Sequence, residues 1–346
     1  MLPRPGRRPW RALPLPDRVA ALARTADRLR PAPPILGRII DSDPHRRSPT
    51  GPTTSTRTAD PRPDHRVGAP SCFPTRITPP ARSPALRGPR RRILIGMATT
   101  PLPNSRTEPD GSAVIRVLSY NIRSMRDDTD ALARVISACE PDLVLVQEAP
   151  RFFRWRKKLA RLAAASGQVI LSGGATAAGP ALLCSLRGTV ERTEDVLLPL
   201  TPGLHRRGFA TAVVRFGSAR LGVLSCHLSL QKDERYEQGG MLLDRLAGLG
   251  TPYAVAGGDL NERPGGPAFT RLAGTLQDGW TTRPWGAEHT STPTDPHQRI
   301  DAIFATQGVE ILGCGVPLGL PGVTEEDLRA ATDHLPVLAA LRVPAS

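Results

Sequence analysis

Tyr253–Asn261 reads YAVAGGDLN. The run Tyr253–Asp259 is short, apolar and bounded by turn residues, which predicts a buried β-strand. It leads into Asp259 and Asn261, and side chains two apart share one side of an extended chain. A tight Gly257-Gly258-Asp259 turn would explain this segment by itself. The pattern recurs, however. Val114–Tyr120 runs into Asn121, Leu143–Val146 runs into Gln147-Glu148, and Leu221–Leu228 carries Cys226-His227 at its end. Arg299-Ile300-Asp301 and Thr332-Asp333-His334-Leu335-Pro336 stand beside the later strands.

The intervening segments set the fold class. Leu132, Val135, Ile136 and Cys139 recur at i, i+3, i+4, i+7 behind Asp127, Asp128 and Asp130, and Pro141 follows. That is an amphipathic helix with an acidic start and a defined stop. Arg151–Ala165 reads as a second helix, with Phe152, Trp155 and Leu159 as a core stripe and a solvated basic face. Phe209–Phe216 and Leu221–Leu228 form a hairpin around Gly217-Ser218. Glu234–Leu249 is helical, with Leu242, Leu246 and Leu249 on one stripe. Strands are expected at Ile300–Ala305, Val309–Val316 and Leu335–Val343. The order opens β-α-β-α and then turns hairpin-rich, unlike a doubly wound sheet. It predicts an α+β fold: two mixed, mostly antiparallel sheets packed face to face, with helices outside.

The charge is unevenly spread. The 346 residues carry a net +14, and residues 1–96 hold 20 Arg and 6 Asp with no Lys or Glu. The other 250 residues balance at 26 basic and 26 acidic side chains. This argues against one basic nucleic-acid-binding globule. Residues 1–96 read as a disordered Arg/Pro-rich extension, with a short helix conceivable only at Asp17–Leu29. Residues 97–112 read as a linker and 113–344 as the catalytic domain. Leu162–Leu186 is long enough to span a membrane, but Gly173, Gly174, Gly179 and Pro180 break it, so no transmembrane segment is expected. Charges interrupt every candidate signal sequence. The five cysteines have no paired spacing, which suits free thiols in a reducing compartment, the cytoplasm.

The strand-end residues total four carboxylates (Glu148, Asp259, Asp301, Asp333), two carboxamides (Asn121, Asn261) and two histidines (His227, His334). Such an oxygen-rich set suits Mg²⁺ or Mn²⁺ better than zinc. Histidines beside carboxylates supply acid, base and charge-stabilising groups for metal-assisted hydrolysis.

Taken in order, Leu118-Ser119-Tyr120-Asn121-Ile122, Gln147-Glu148, His227-Leu228, Gly258-Asp259-Leu260-Asn261, Arg299-Ile300-Asp301 and Asp333-His334-Leu335-Pro336 resemble the endonuclease/exonuclease/phosphatase superfamily. Its members include DNase I-like nucleases, exonuclease III-like repair enzymes, inositol polyphosphate 5-phosphatases and neutral sphingomyelinases. The likeness spans residues 113–343. It implies a four-layer α/β/β/α sandwich, a divalent metal, usually Mg²⁺, and phosphoester hydrolysis by an in-line water. By the same resemblance Glu148 is the main metal ligand, with Asn121 beside it and Asp333 completing the shell. Asp259 orients or deprotonates the water, and Asn261 holds a phosphate oxygen. His334 contacts the scissile phosphate, Asp301 fixes its tautomer, and His227 is a second phosphate-side group. Ala302 replaces a frequent Tyr or His, and Cys226 a common Thr; neither removes a catalytic atom.

Arg207 and Arg299 are candidate substrate-binding cations. His205, His289 and His297 lack motif support and read as surface residues. Trp280 and Trp285 flank a loop where they would stack on a base or sugar, or cap the core. The leading function is a phosphodiesterase or nuclease, acting as a monomer on a phosphoester substrate that includes nucleic acid. The alternative is a phosphatase of inositol phosphates or lipid head groups. A non-catalytic module with a basic nucleic-acid tether ranks below both. Met97 stands at the composition shift, so translation is expected to start there. Intact-mass measurement of the natively expressed protein checks this; a species beginning near Met1 refutes it.

Overall fold

The computed structural model describes residues 101–346. The Arg/Pro-rich extension, the helix expected at Asp17–Leu29, and Met97 lie outside the described residues. Thirteen strands occur among the described residues: β1 Arg106–Thr107, β2 Ala113–Asn121, β3 Leu143–Gln147, β4 Val169–Gly173, β5 Ala181–Cys184, β6 Thr189–Leu197, β7 Gly208–Phe216, β8 Ala219–His227, β9 Tyr253–Asp259, β10 Gln277–Asp278, β11 Asp301–Ala305, β12 Glu310–Gly315 and β13 Val337–Val343. The α-helices are α1 Thr129–Cys139, α2 Trp155–Ala165, α3 Lys232–Ala247, α4 Pro267–Ala273, α5 Gly279–Thr282 and α6 Glu325–Ala331.

One sheet runs β12-β13-β2-β3-β5-β4, with β1 added on β2; the other runs β10-β11-β9-β8-β7-β6. Only β2/β3 and β8/β9 pair in parallel. Period-2 alternation with apolar residues on both faces builds the layers. Ile115, Val117, Leu143 and Leu145 point inward and meet Val214, Phe216, Val223 and Ile303 of the opposite sheet. Leu118, Tyr120, Val144 and Val146 point outward onto Leu132, Ile136, Leu159 and Leu328 of α1, α2 and α6. On the far side Leu224, Ala256 and Phe304 pack with Leu242, Leu246 and Phe269 of α3 and α4. The result is the four-layer α/β/β/α sandwich.

Local chemistry fixes the helix ends. The Asp128 carboxylate caps α1 by accepting from the Asp130 and Ala131 amides at 2.9 Å, and the Thr324 hydroxyl caps α6 through the Asp327 amide. The helix expected from Arg151 begins instead at Trp155. Pro150 and a left-handed Arg154 (φ 57°) prevent an earlier start. Phe152 therefore lies outside the helix, and the i, i+3, i+7 stripe does not apply to it. The buried face of α2 is Leu159, Leu162 and Ala163.

The expected linker also differs in part. Leu102 is buried, and β1 pairs with β2. The buried Arg116 guanidinium on β2 needs acceptors and finds them in the Leu102 and Pro103 carbonyls and the Asn104 side chain. Trp285 packs against the outer core of the first sheet.

Cys139, Cys184, Cys226 and Cys314 are free and buried. Burial pushes the Cys139 and Cys184 thiols up to about 12 and raises Cys226 and Cys314 as well. A thiol reagent at pH 8 should therefore leave these four unmodified in the native protein. All five cysteines of the chain should react once denaturant is added.

Candidate active site

The sheet registers bring the strand-end residues together. His227 of β8 lies opposite Asp259 of β9, and Asp259 lies opposite Asp301 of β11. In the other sheet Asn121 of β2 pairs with Gln147 of β3, and Glu148 follows at once. Asn121 links the two sheets at this edge. The Asn121 Nδ2 donates to Asp259 Oδ2 at 3.0 Å and to Glu148 Oε1 at 3.3 Å. Its Oδ1 accepts from the Arg123 amide, which fixes the orientation of the carboxamide.

The turns behind these residues are unusual. Glu148 (φ 52°) and Asn261 (φ 51°) are both left-handed, as are Arg123, Ser124 and Met125 beside them. Non-glycine residues adopt this region rarely, and such strain gathers at functional sites. Backbone bonds pin the turns: Ser124 N donates to Glu148 O, Ala149 N to Gly179 O, and Leu260 N to Ile300 O. Gly258 is required for close approach, since a Cβ there would lie 1.9 Å from the Cys226 carbonyl oxygen.

The two histidines differ in charge, His334 cationic and His227 neutral. His334 Nδ1 is 2.9 Å from Asp301 Oδ2, and its Nε2 is 3.8 Å from Asp259 Oδ2. Burial disfavours its cation, but Asp301, Asp259 and Asp333 outweigh that and hold the imidazolium up to about 10. His227 is pulled down to about 4, chiefly by burial, against the opposing pull of Asp259. Asn261 Nδ2 donates to the Leu228 carbonyl and lies 3.1 Å from His227 Nε2. That amide orientation makes Nε2 an acceptor and places the His227 proton on Nδ1.

These residues open onto a cleft of about 780 Å³ lined by Glu148, His227, Asp259, Asn261 and His334. Arg207 also lines it; its Nε is buried with no hydrogen-bond partner among the described residues. Burial lowers the Arg207 pKa, and Asp259 and Glu148 counter it. Arg126, Arg151 and Lys158 add cations to the cleft lining. His205 is exposed, as expected from sequence, and also lines the cleft, two residues before Arg207 in the loop leading to β7.

Two predicted residues are turned elsewhere. Asp333 is half-exposed and pairs with Arg123 Nε at 3.2 Å. Arg299 is buried, donates from both Nη atoms to Asp278 at 2.9 Å, and lies over the Phe269 ring. Both Nη atoms are committed to Asp278 and the side chain is buried away from the cleft lining, so a structural ion pair replaces the expected substrate contact.

The donor set suits a small hard cation. Glu148 and Asp259 supply carboxylate oxygens drawn together by the Asn121 amide, and one buried oxygen of Asp301 has no hydrogen-bond partner among the described residues. Asp259, Asp301 and His334 also offer ligand atoms within 4.8 Å of one another. The charged His334 lacks a free lone pair, so that trio is better suited to holding a proton.

No curated protein matches the chain in sequence. Solved structures are similar in fold. An endonuclease/exonuclease/phosphatase from Bacteroides vulgatus aligns at 19% identity and TM-score 0.56, over 66% of this chain and 99% of that one. A mannosyl-6-phosphatase from Bacteroides thetaiotaomicron aligns at 18% and 0.55, over 66% and 99%. Truncated Caenorhabditis elegans TDP2 aligns at 19% and 0.52, over 66% and 97%. The model of the Endonuclease/Exonuclease/phosphatase family matches residues 118–334, so the chain belongs to that family.

Proposed function

We propose that this chain, a metal-dependent phosphoesterase by family, is a phosphodiesterase that cleaves its substrate with an in-line water. The observation that carries this reading is the juxtaposition in one cleft of the Glu148 and Asp259 carboxylates, bridged by the Asn121 amide, with the Arg207 guanidinium and the charged His334. The cleft, about 780 Å³, reaches beyond these groups to Phe152, Phe153, Lys158 and Leu230. That volume leaves room for substituents on both ester oxygens, as a diester requires.

Glu148 would hold the divalent ion, with Mg²⁺ the best match to its carboxylate and Mn²⁺ an acceptable substitute, and Asn121 beside it would keep that carboxylate in place. When bound, the ion supplies Lewis-acid stabilisation of phosphoryl charge and a more acidic water. Asp259 is held at both oxygens, by the Asn121 side chain and the Asn261 amide, and it orients the attacking water. His334 meets developing phosphoryl charge with its imidazolium, and Asp301 fixes its tautomer. Neutral His227 is oriented by Asn261 beside the phosphate. Arg207 supplies the free guanidinium donors to the non-bridging oxygens.

The chain should hydrolyse a generic phosphodiester with Mg²⁺ or Mn²⁺ and lose that activity in EDTA. Asp259→Ala and His334→Ala should each lower kcat by about 10²–10⁴-fold, and Arg207→Ala should lower kcat/KM by about 10²-fold. Turnover that ignores EDTA and survives the first two substitutions would falsify this assignment. Hydrolysis confined to phosphomonoesters or inositol phosphates refutes the diester preference alone.

The His334–Asp301 pair makes a separate prediction for the metal-free protein. The folded pKa of His334, about 10, lies above its ordinary 6.5. The pair's stabilisation is thus complete below about 6.5 and declines as pH rises toward 10. Imidazole NMR in EDTA should show His334 still protonated at pH 8. Asp301→Asn should bring its titration down to or below 6.5, since burial then prevails.

A further inference from the structure

Arg151–Arg161 holds six cations, and no Asp or Glu occurs between Glu148 and Glu191. Arg151, Arg154, Arg156, Lys157 and Lys158 are exposed. None of them forms an ion pair among the described residues. In their midst Phe152 and Phe153 are each 80% exposed, and Leu230, from the turn after β8, is 72% exposed. All three apolar side chains line the mouth of the catalytic cleft. Large apolar side chains left this exposed to water are informative when they cluster at a site.

The presentation is built into the fold. Trp155 wedges against Gly174, where an added Cβ would lie 2.4 Å from its ring. Arg156 covers the same indole at 4.2 Å. The left-handed Arg154 then turns the preceding residues outward. Phe152 and Phe153 thus stand on an anchored turn, apolar tips outward and cations around their base.

We propose that this lip is an interfacial docking surface for anionic phospholipid, which seats the cleft against a lipid–water interface. Charge complementarity selects an anionic partner, and apolar tips ringed by Lys and Arg match the headgroup–acyl boundary. Single-stranded nucleic acid fits less well. Stacking needs free aromatic faces, yet Arg151 lies over the Phe152 ring at 5.9 Å and Arg154 over the Phe153 ring at 5.0 Å. Leu230 has no π face at all. The inference rests on the phosphoesterase reading only for what enters the cleft.

The test is co-sedimentation of the full chain with phosphatidylcholine vesicles, with and without about one-third phosphatidylserine. The Arg-rich residues 1–96 contribute equally to every variant, so differences between variants are the readout. Phe152→Ala/Phe153→Ala should weaken binding to the anionic vesicles about tenfold or more. Phe153→Trp should gain fluorescence that brominated acyl chains quench. Lys157→Glu/Lys158→Glu should abolish most of the preference for phosphatidylserine. Unchanged binding in the double alanine variant, or an unquenched tryptophan, overturns the proposal. So does a double alanine variant that loses affinity only for a thymidine oligonucleotide, which would make the lip a nucleic-acid surface. Turnover of a soluble phosphodiester by the unaltered chain is scored separately. Turnover without lipid contact refutes the docking surface alone, and lipid contact without turnover refutes the site alone.

Discussion

The site depends on one carboxamide. Asn121 sits at the end of β2 and uses every polar atom it has. Its Nδ2 spans to Asp259 on the other sheet and to Glu148 on its own. Its Oδ1 receives the Arg123 amide, and its backbone oxygen receives the Thr332 hydroxyl. The last bond ties β2 to the turn that carries His334. Two carboxylates drawn together at a partly buried edge repel each other and lose hydration. A neutral double donor eases this without adding a charge, so both carboxylates keep affinity for a cation. A lysine here would neutralise the site, and an alanine would leave both carboxylates under-bonded. Neither would preserve the metal-binding character of the edge.

The same edge holds two histidines in different protonation states with little separation. His227 lies against β9 with an amide donor on its Nε2, and burial leaves it neutral. His334 is scarcely more exposed, but the Asp301 carboxylate at its Nδ1 reverses the outcome. The difference is set by strand register, because Asp301 and His227 flank Asp259 on opposite sides. One imidazole can therefore present a cation to phosphoryl charge while the other stays an uncharged partner. Pushing two titratable groups apart in this way is how a site divides acid and base roles.

Much of this was legible in the sequence, for a physical reason. Buried strands must be apolar, so the residue where a strand leaves the core stands out when it is Asp, Asn, His or Glu. Asn121, Glu148, His227, Asp259, Asp301 and His334 were all visible in this way, and the order of strands, helices and hairpins disclosed the layered sheets. What escaped notice depended on contacts that spacing does not encode. Phe152 looked like a core residue because its spacing fits a helix, but the left-handed Arg154 starts that helix three residues later. Arg299 looked available to substrate because it precedes Asp301, and only the fold reveals Asp278 filling its donors. Leu102 and β1 looked like linker because the buried Arg116 that holds them cannot be recognised as buried from sequence.

Charge at the cleft explains why the carboxylates and the cations must both be there. Glu148, Asp259 and Asp301 alone would repel a phosphoester. Arg207 alone would bind one but could not activate water. The cations Arg126, Arg151, Lys158 and Arg207 line the cleft together with the Glu148 and Asp259 carboxylates. An anion is therefore drawn in by the cations and can meet Arg207. The field of the whole cleft is steep because low-dielectric walls focus it. Arg207 faces the carboxylates at a distance where it is attracted but not captured, so its Nε stays unpaired. Had Asp259 or Glu148 closed a bidentate pair with it, as Asp278 does with Arg299, the guanidinium would have been spent on structure. The site works through a cation left unsatisfied beside carboxylates already committed to Asn121, and it is that division of partners that leaves one group for phosphate and the other for metal.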